Sequence, residues 1–104
     1  MVKVIVGYKL KENVDIQAIL MKVRTHAMTF PGFVSAENLA SMRDSSIILV
    51  IYTWEKIEDW RTWENTIIRK ELLKEAEPLL SEQPRVRMYQ VLSTTGWPHT
   101  PYDA

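Results

Sequence analysis

The sequence predicts an α+β domain with an antiparallel four-stranded sheet and the element order β-α-β-β-α-β. Three observations carry this. Four extended segments are rich in β-branched and aromatic residues. Two stretches place apolar residues at helical spacing. Pro-Gly or small polar residues stand at the junctions between several of these segments.

The first segment, "VKVIVGYKL", alternates: Val2, Val4, Val6 and Tyr8 share one face, and Lys3, Ile5, Gly7 and Lys9 the other. "KEN" then reads as a turn. Asn13 is the expected N-cap of a first helix, with Asp15 in its first turn, where the helix dipole favours an anion. Ile16, Ile19, Leu20, Val23, Ala27 and Phe30 follow the helical period. Pro31 and Gly32 are expected to end that helix, because a proline disfavours helical geometry in the residue before it.

"FVSAENLASM" is a second extended segment with weaker alternation, and "RDSS" supplies hairpin turn residues. "IILVIYTW", residues 47–54, does not alternate, which predicts a strand covered on both faces. "KIEDWRTWE" reads as a short helix. Asn65 and Thr66 can cap another, which carries Ile68, Leu72, Ala76 and Leu79 and ends near Pro78. "PRVRMYQVLS" is the last strand. The tail, residues 93–104, has glycine and two prolines and no periodicity. The arrangement is the ferredoxin-like split βαβ, with its second helix broken in two. One domain is expected over residues 1–104, with its core in 2–92.

Composition narrows the function. Hydrophobic residues make up 46% and charged residues 25% of the 104, which is globular and not disordered. Lysine plus arginine number 13 and so do aspartate plus glutamate, so nothing draws the chain to nucleic acid or an anionic membrane. The absence of cysteine excludes disulfides, thiolate nucleophiles and cysteine-held metals. "MVKVIVGYKL" lacks the apolar core of a signal peptide, and no apolar run reaches the roughly 18 residues that span a bilayer. A soluble cytoplasmic protein is expected.

Two helices can cover only one face of a four-stranded sheet. Yet residues 47–54 are apolar on both sides. The last strand offers Val86, Met88 and Leu92 on one face, with Tyr89 and Val91 on the other. A second copy of the chain is the economical cover, so a homodimer through the sheet faces is expected.

"FPGFVSAENL", then "ILVIYTWEKIEDWRTWENT", then "EAEPLL", in this order and spacing, resembles the antibiotic biosynthesis monooxygenase-like proteins of the dimeric α+β barrel superfamily. The resemblance covers residues 2–92. It implies two sheets packed face to face with helices outside, and a pocket in each subunit between helices and sheet. Activities in this group include cofactor-independent oxygenation of phenolic or quinol-like molecules and oxidative haem breakdown, although this fold hosts unrelated chemistries. Haem-degrading relatives carry an asparagine near the end of the first strand, a tryptophan in the second helical region and an iron-binding histidine ten residues further on. The matching positions here are Tyr8, Trp63 and Leu73, and Leu73 cannot ligate iron. The resemblance therefore favours the oxygenase branch, which needs no metal or cofactor. That branch must bind a flat apolar ring, take a proton and exclude water.

Candidate residues follow. Trp63 lies three residues after Trp60 on the same side of a helix and is either a pocket wall or a core indole. Trp60 reads as core or partner contact, and Trp54 closes the long apolar strand. His26 is the natural proton acceptor near neutral pH and falls near Ile19 on the border of the first helix's apolar stripe. His99 sits in the tail and has a weaker claim. Asn65 and Arg69 could turn inward to hold a phenolate or superoxide, or serve as helix cap and solvated charge. Tyr8 and Tyr52 come from strands that should be neighbours and could place hydroxyls in the cavity. Arg85 and Arg87 share a face with Tyr89, as an anion site or a dimer rim. No nucleophile elbow, phosphate loop or metal-ligand spacing is present. The expectation is a cofactor-free, monooxygenase-like homodimer acting on a small aromatic or quinol-like molecule. The alternative is a non-catalytic member of the same fold, binding a small apolar ligand or serving as an accessory protein.

Overall fold

The computed structural model describes residues 1–95. In chain order the elements are β1 (Val2–Lys9), α1 (Gln17–Ala27), β2 (Phe33–Ala40), β3 (Ile47–Trp54), α2 (Ile57–Glu64), α3 (Ile67–Ala76) and β4 (Arg85–Gln90), with a 3₁₀ turn at Glu77–Leu79. The strands form one sheet in the order β2-β3-β1-β4, with every neighbouring pair antiparallel. This is the ferredoxin-like arrangement that the sequence predicts, with the second helix divided into α2 and α3.

The pleat sorts the side chains. Val4, Val6 and Tyr8 of β1 face the helices, opposite Tyr52, Val50 and Ile48 of β3. They join Leu20, Val23 and Ala27 of α1, Trp60 and Trp63 of α2, and Leu72 and Ala76 of α3 in one core. The other face carries Ile5, Leu49 and Ile51 down its middle, all half-buried, with Arg87 and Glu37 at its flanks. No second layer of this chain covers it among the described residues. On β4 the register puts Val86 and Met88 on the helix side, beside Val6 and Val4. The helices do not reach this edge strand, and Met88 remains 47% exposed.

Several local expectations are corrected. Asn13 is not a cap. It turns the chain at φ 58°, and α1 begins later, where the Asp15 carboxylate accepts the Gln17 N–H at 2.9 Å. An asparagine tolerates the left-handed region because its short polar side chain can bond locally. Helix α1 also stops before Pro31. The N–H groups of Thr29 and Phe30 donate to the carbonyls of His26 and Ala27, which tightens the chain into the Pro31-Gly32 turn. Gly32 is at φ 86°, and a Cβ there would collide with the Asp59 carboxylate. Its carbonyl accepts the Glu55 N–H at 2.8 Å. Thus the turn docks the start of α2 against the end of α1, and only glycine fits.

Thr66, not Asn65, caps α3. Its hydroxyl accepts the Arg69 N–H and donates to the Trp63 carbonyl at 2.8 Å. Asn65 closes α2 instead. That junction separates the two helices, and Arg69, three residues past the cap, is buried against Trp60.

Candidate functional site

The layer between the helices and the sheet holds two groups of named residues, and they differ. The first is built on Trp63. Its indole is 0% exposed and meets the Phe30 ring at 5.1 Å between centroids, with the planes 58° apart. This is a tilted aromatic pair inside hydrocarbon. The indole N–H groups of Trp54, Trp60 and Trp63 are all buried and have no hydrogen-bond partner among the described residues.

The second group is built on Arg69. It follows the Thr66 cap on α3 and lies on the same stripe as Leu72 and Ala76, so its stem enters the core and it is 8% exposed. The guanidinium carbon sits 5.0 Å from the Trp60 ring centroid, a cation–π contact. Among the described residues no carboxylate lies within 4.0 Å of it, and no side-chain hydrogen bond holds it. Trp60 in turn touches Tyr52, with centroids 5.7 Å apart. Tyr8 and Tyr52 are both 2% exposed, and burial raises the pKa of each above the ordinary phenol value. Charge repulsion between the two phenols adds to the rise at Tyr8, and the Arg69 charge opposes it at both. Both hydroxyls therefore stay protonated near neutral pH and can donate.

Sequence reasoning missed one residue here. Arg24 of α1 donates from Nη2 to Asn38 Oδ1 on β2 at 2.8 Å, and its Nε is buried without a partner among the described residues. Its charge also opposes the rise at Tyr52. The signal was available: Arg24 stands between Leu20 and Ala27 at helical spacing, a cation on the border of an apolar stripe.

The remaining candidates are placed elsewhere. His26 is exposed, on the border of α1 opposite Arg24, and its carbonyl takes the Thr29 hydroxyl at 2.7 Å. Seven residues of an α-helix fall about 20° short of two full turns, and that drift carries His26 outward from half-buried Ile19. Asn65 is exposed and bonds its own helix, from Nδ2 to the Arg61 carbonyl at 2.8 Å. Leu73 is half-buried on α3, in the wall of a cleft of about 420 Å³ with Lys70, Lys74, Leu80 and Pro84. Arg85 and Arg87 line a hollow of about 480 Å³ on the open sheet face, with Ile5, Lys9 and Leu49. Tyr8 borders that hollow, but none of the described clefts is lined by Trp63, Tyr52 or Arg69. His99 lies outside the described residues. Among those residues no group of three His, Asp or Glu is poised to hold a metal, and no helix is long and apolar enough to cross a membrane.

Solved structures share this architecture. SnoaB, a cofactor-independent oxygenase from Streptomyces nogalater, superposes with a TM-score of 0.79 over 90% of this chain and 95% of its own, at 11% identity. A structure described as an antibiotic biosynthesis monooxygenase gives 0.78 over 89% of this chain and all of its own, at 13% identity. A Deinococcus radiodurans protein provisionally given the same name gives 0.82 over 95% and 100%, at 9% identity. The fold is that of the antibiotic biosynthesis monooxygenases. No family model and no curated protein sequence matches the chain. At such identities the common backbone rests on the pattern of apolar positions, which many side chains satisfy. The shared fold fixes the course of the backbone around the inner layer. What the inner layer does there depends on this chain's own Arg24, Arg69, Tyr8 and Tyr52.

Proposed function

We propose that the chain is a monooxygenase-like protein that binds a small aromatic or quinol-like molecule at the Arg69 cluster and oxygenates it without a cofactor. One observation carries this reading. Arg69 is a buried cation with the Trp60 ring 5.0 Å from its guanidinium carbon and no carboxylate partner among the described residues, and its charge reaches the buried Tyr8 and Tyr52. Burying a charge without a partner is strongly unfavourable, and folded chains seldom keep one that does nothing. An electron-rich phenolate is the complementary ligand. The guanidinium would balance its charge, Tyr8 and Tyr52 would donate to its oxygen, and Trp60 and Tyr52 would lie against its ring. Such an anion can pass an electron to dioxygen, and the apolar surroundings keep water away from the reactive species. The oxygenase named among the structural neighbours is consistent with that chemistry.

The reading includes a homodimer formed through the open sheet face, whose central row of Ile5, Leu49 and Ile51 needs a cover. A second reading, a binding or accessory protein without turnover, is favoured by two facts. His26 is exposed, and no other histidine among the described residues stands near the cluster to serve as base.

An oxygen electrode separates the two. With a panel of small hydroquinones, oxygen uptake that saturates with substrate and vanishes in Arg69→Met supports the oxygenase. Saturable binding with no uptake above the uncatalysed rate assigns the accessory role. No binding by any member of the panel refutes both. Sedimentation at micromolar concentration should show a dimer, and a folded monomer would remove that part of the proposal.

A further inference from the structure

We infer that the open sheet face packs on a second copy of the chain about a two-fold axis parallel to the strands, so that Glu37 on β2 meets the partner's Arg87 on β4 and Arg87 meets the partner's Glu37. This rests on the homodimer proposed above and adds which edge of the sheet meets which. The argument begins with the charges on that face, which are Lys3, Lys9, Glu37, Arg85 and Arg87. Lys3, Lys9 and Arg85 are answered within the chain. Lys3 Nζ donates to Thr53 Oγ1 at 2.6 Å. Lys9 lies 3.9 Å from Asp44, and Arg85 lies 3.6 Å from Glu82. Glu37 and Arg87 are exposed and make no ion pair among the described residues. They stand at opposite ends of one row across the sheet, Glu37–Ile51–Ile5–Arg87. Three strand spacings, about 14 Å, separate their backbones.

Symmetry decides how such a row can be covered. Aligned sheets pack about 10 Å apart with their strands within about 30° of each other. A two-fold axis between them then runs either across the strands or along them. Across the strands, it lays β2 over the partner's β2, and centred on this row it sets acid against acid and cation against cation. Along the strands, it reverses the strand order and lays β2 over the partner's β4. Glu37 then faces the partner's Arg87, Ile51 faces the partner's Ile5, and the mirror pairs repeat on the other side. The row complements itself, as an isologous interface requires. The next row, Leu39–Leu49–Gly7–Arg85, adds shape. The same axis sets Leu49 over the partner's Gly7, a bulky side chain over a residue that has none, at the hollow of about 480 Å³ that both line. Opposite charges at the rim fix register, and like charges there suppress the wrong one. An ion or a small ligand answers one end of the row, whereas a second copy answers both ends and covers the isoleucines between them.

Charge reversal tests the pairing, read by sedimentation equilibrium with native circular dichroism as the check on folding. Glu37→Arg and Arg87→Glu should each weaken the dimer by about tenfold, since each puts two like-charged pairs at the rim. The double variant Glu37→Arg/Arg87→Glu restores opposite charges at both ends and should recover most of the loss. An axis across the strands predicts no such recovery, because the double variant then keeps like charges opposite each other. Proximity is read separately. The chain has no cysteine, so Glu37→Cys and Arg87→Cys each introduce a lone thiol. An equal mixture of the two variants should give a covalent dimer with a short bis-maleimide, and either variant alone should not. Cross-linking of either variant alone, or a double variant no tighter than the singles, overturns the inference and leaves the dimer standing. A folded wild-type monomer at micromolar concentration removes the dimer itself, and this inference with it.

Discussion

Trp63 and Arg69 enter the same layer from neighbouring helices, one at the end of α2 and the other at the start of α3, yet they meet different chemistry. Trp63 is sealed against Phe30 and has no ionisable group among its named contacts. Arg69 brings a charge that nothing nearby neutralises. The indoles of Trp54, Trp60 and Trp63 are all packed in the core, and under the proposed function Arg69 is the group that a ligand would meet. A tryptophan gains by burial alone. A guanidinium loses by burial unless something pays it back in contacts, so its position carries more information about function.

The largest effect expected from this contrast is on stability at Trp63. Trp63→Ala should destabilise the fold by about 3–5 kcal/mol, the usual range for removing a buried large aromatic. For a domain of this size each kcal/mol moves the melting temperature by roughly 4–8 °C. Calorimetry or thermal circular dichroism reads this directly. A loss below about 1 kcal/mol would mean that the ring borders empty space rather than core, and the two regions would cease to differ.

Arg69→Met should behave in the opposite way. The methionine fills much of the same volume without a charge, and replacing buried ionic groups by apolar ones is often neutral or stabilising by about 1–4 kcal/mol. Binding of phenolic ligands should be lost. Should Arg69→Met instead destabilise by about 3–5 kcal/mol, the signature of breaking a buried pair, then Arg69 has a structural partner and the cluster is not a site.

These two residues also show what could be read in advance. β3 is found at residues 47–54, as its unbroken β-branched run predicts, because such a run has few other ways to bury itself. The break between α2 and α3 was legible from Asn65 and Thr66, but not which of them would cap. Both are good capping residues, and only the crossing of the chain decides. Asn13 failed as a cap because the chain needed a left-handed turn there before the helix could start. At the site, Arg69 shares a stripe with Leu72 and Ala76, and Arg24 flanks one between Leu20 and Ala27, so periodicity alone could have flagged both as inward cations. His26 and Asn65 drew attention through their chemistry, while their helical phase put them outside. Phase outranks residue type when the question is which side chain reaches the core.

The two buried tyrosines give a smaller, pH-dependent test of the Arg69 region. Each hydroxyl holds its proton more tightly in the folded chain than the ordinary value of 10.0. The stability this reflects is fully present below about pH 10 and is lost as pH rises toward the folded values, because the unfolded chain then releases protons that the folded chain keeps. Denaturant titrations should show a plateau near neutral pH and a decline above about pH 10. Tyr52→Phe should flatten that decline, while the nearby Arg69 charge limits its depth by favouring the ionised form. An unchanged decline in Tyr52→Phe would assign the alkaline loss to other groups.

The smallest effect is expected at His26, and it bears on how the reaction would begin. His26 is exposed at the last turn of α1, and no hydrogen bond of its side chain is found among the described residues; its backbone carbonyl takes both the N–H and the hydroxyl of Thr29. His26→Ala should therefore change stability by no more than about 0.5 kcal/mol, the ordinary scale for a surface site. A histidine acting as general base would lower turnover by about 10²–10⁴ when removed. An exposed one that does not touch substrate should leave oxygen uptake within about threefold, well short of that range. The proton of a phenolic substrate would then leave to water as the ring enters, driven by the charge of Arg69 and the donors of Tyr8 and Tyr52. In that case the dependence of uptake on pH should follow the acidity of the substrate across a series of substituted hydroquinones. If instead His26→Ala abolishes uptake and the wild-type profile stays fixed near the histidine range whatever the substrate, α1 must rearrange on binding, and the proton acceptor belongs on the helix rather than in the solvent.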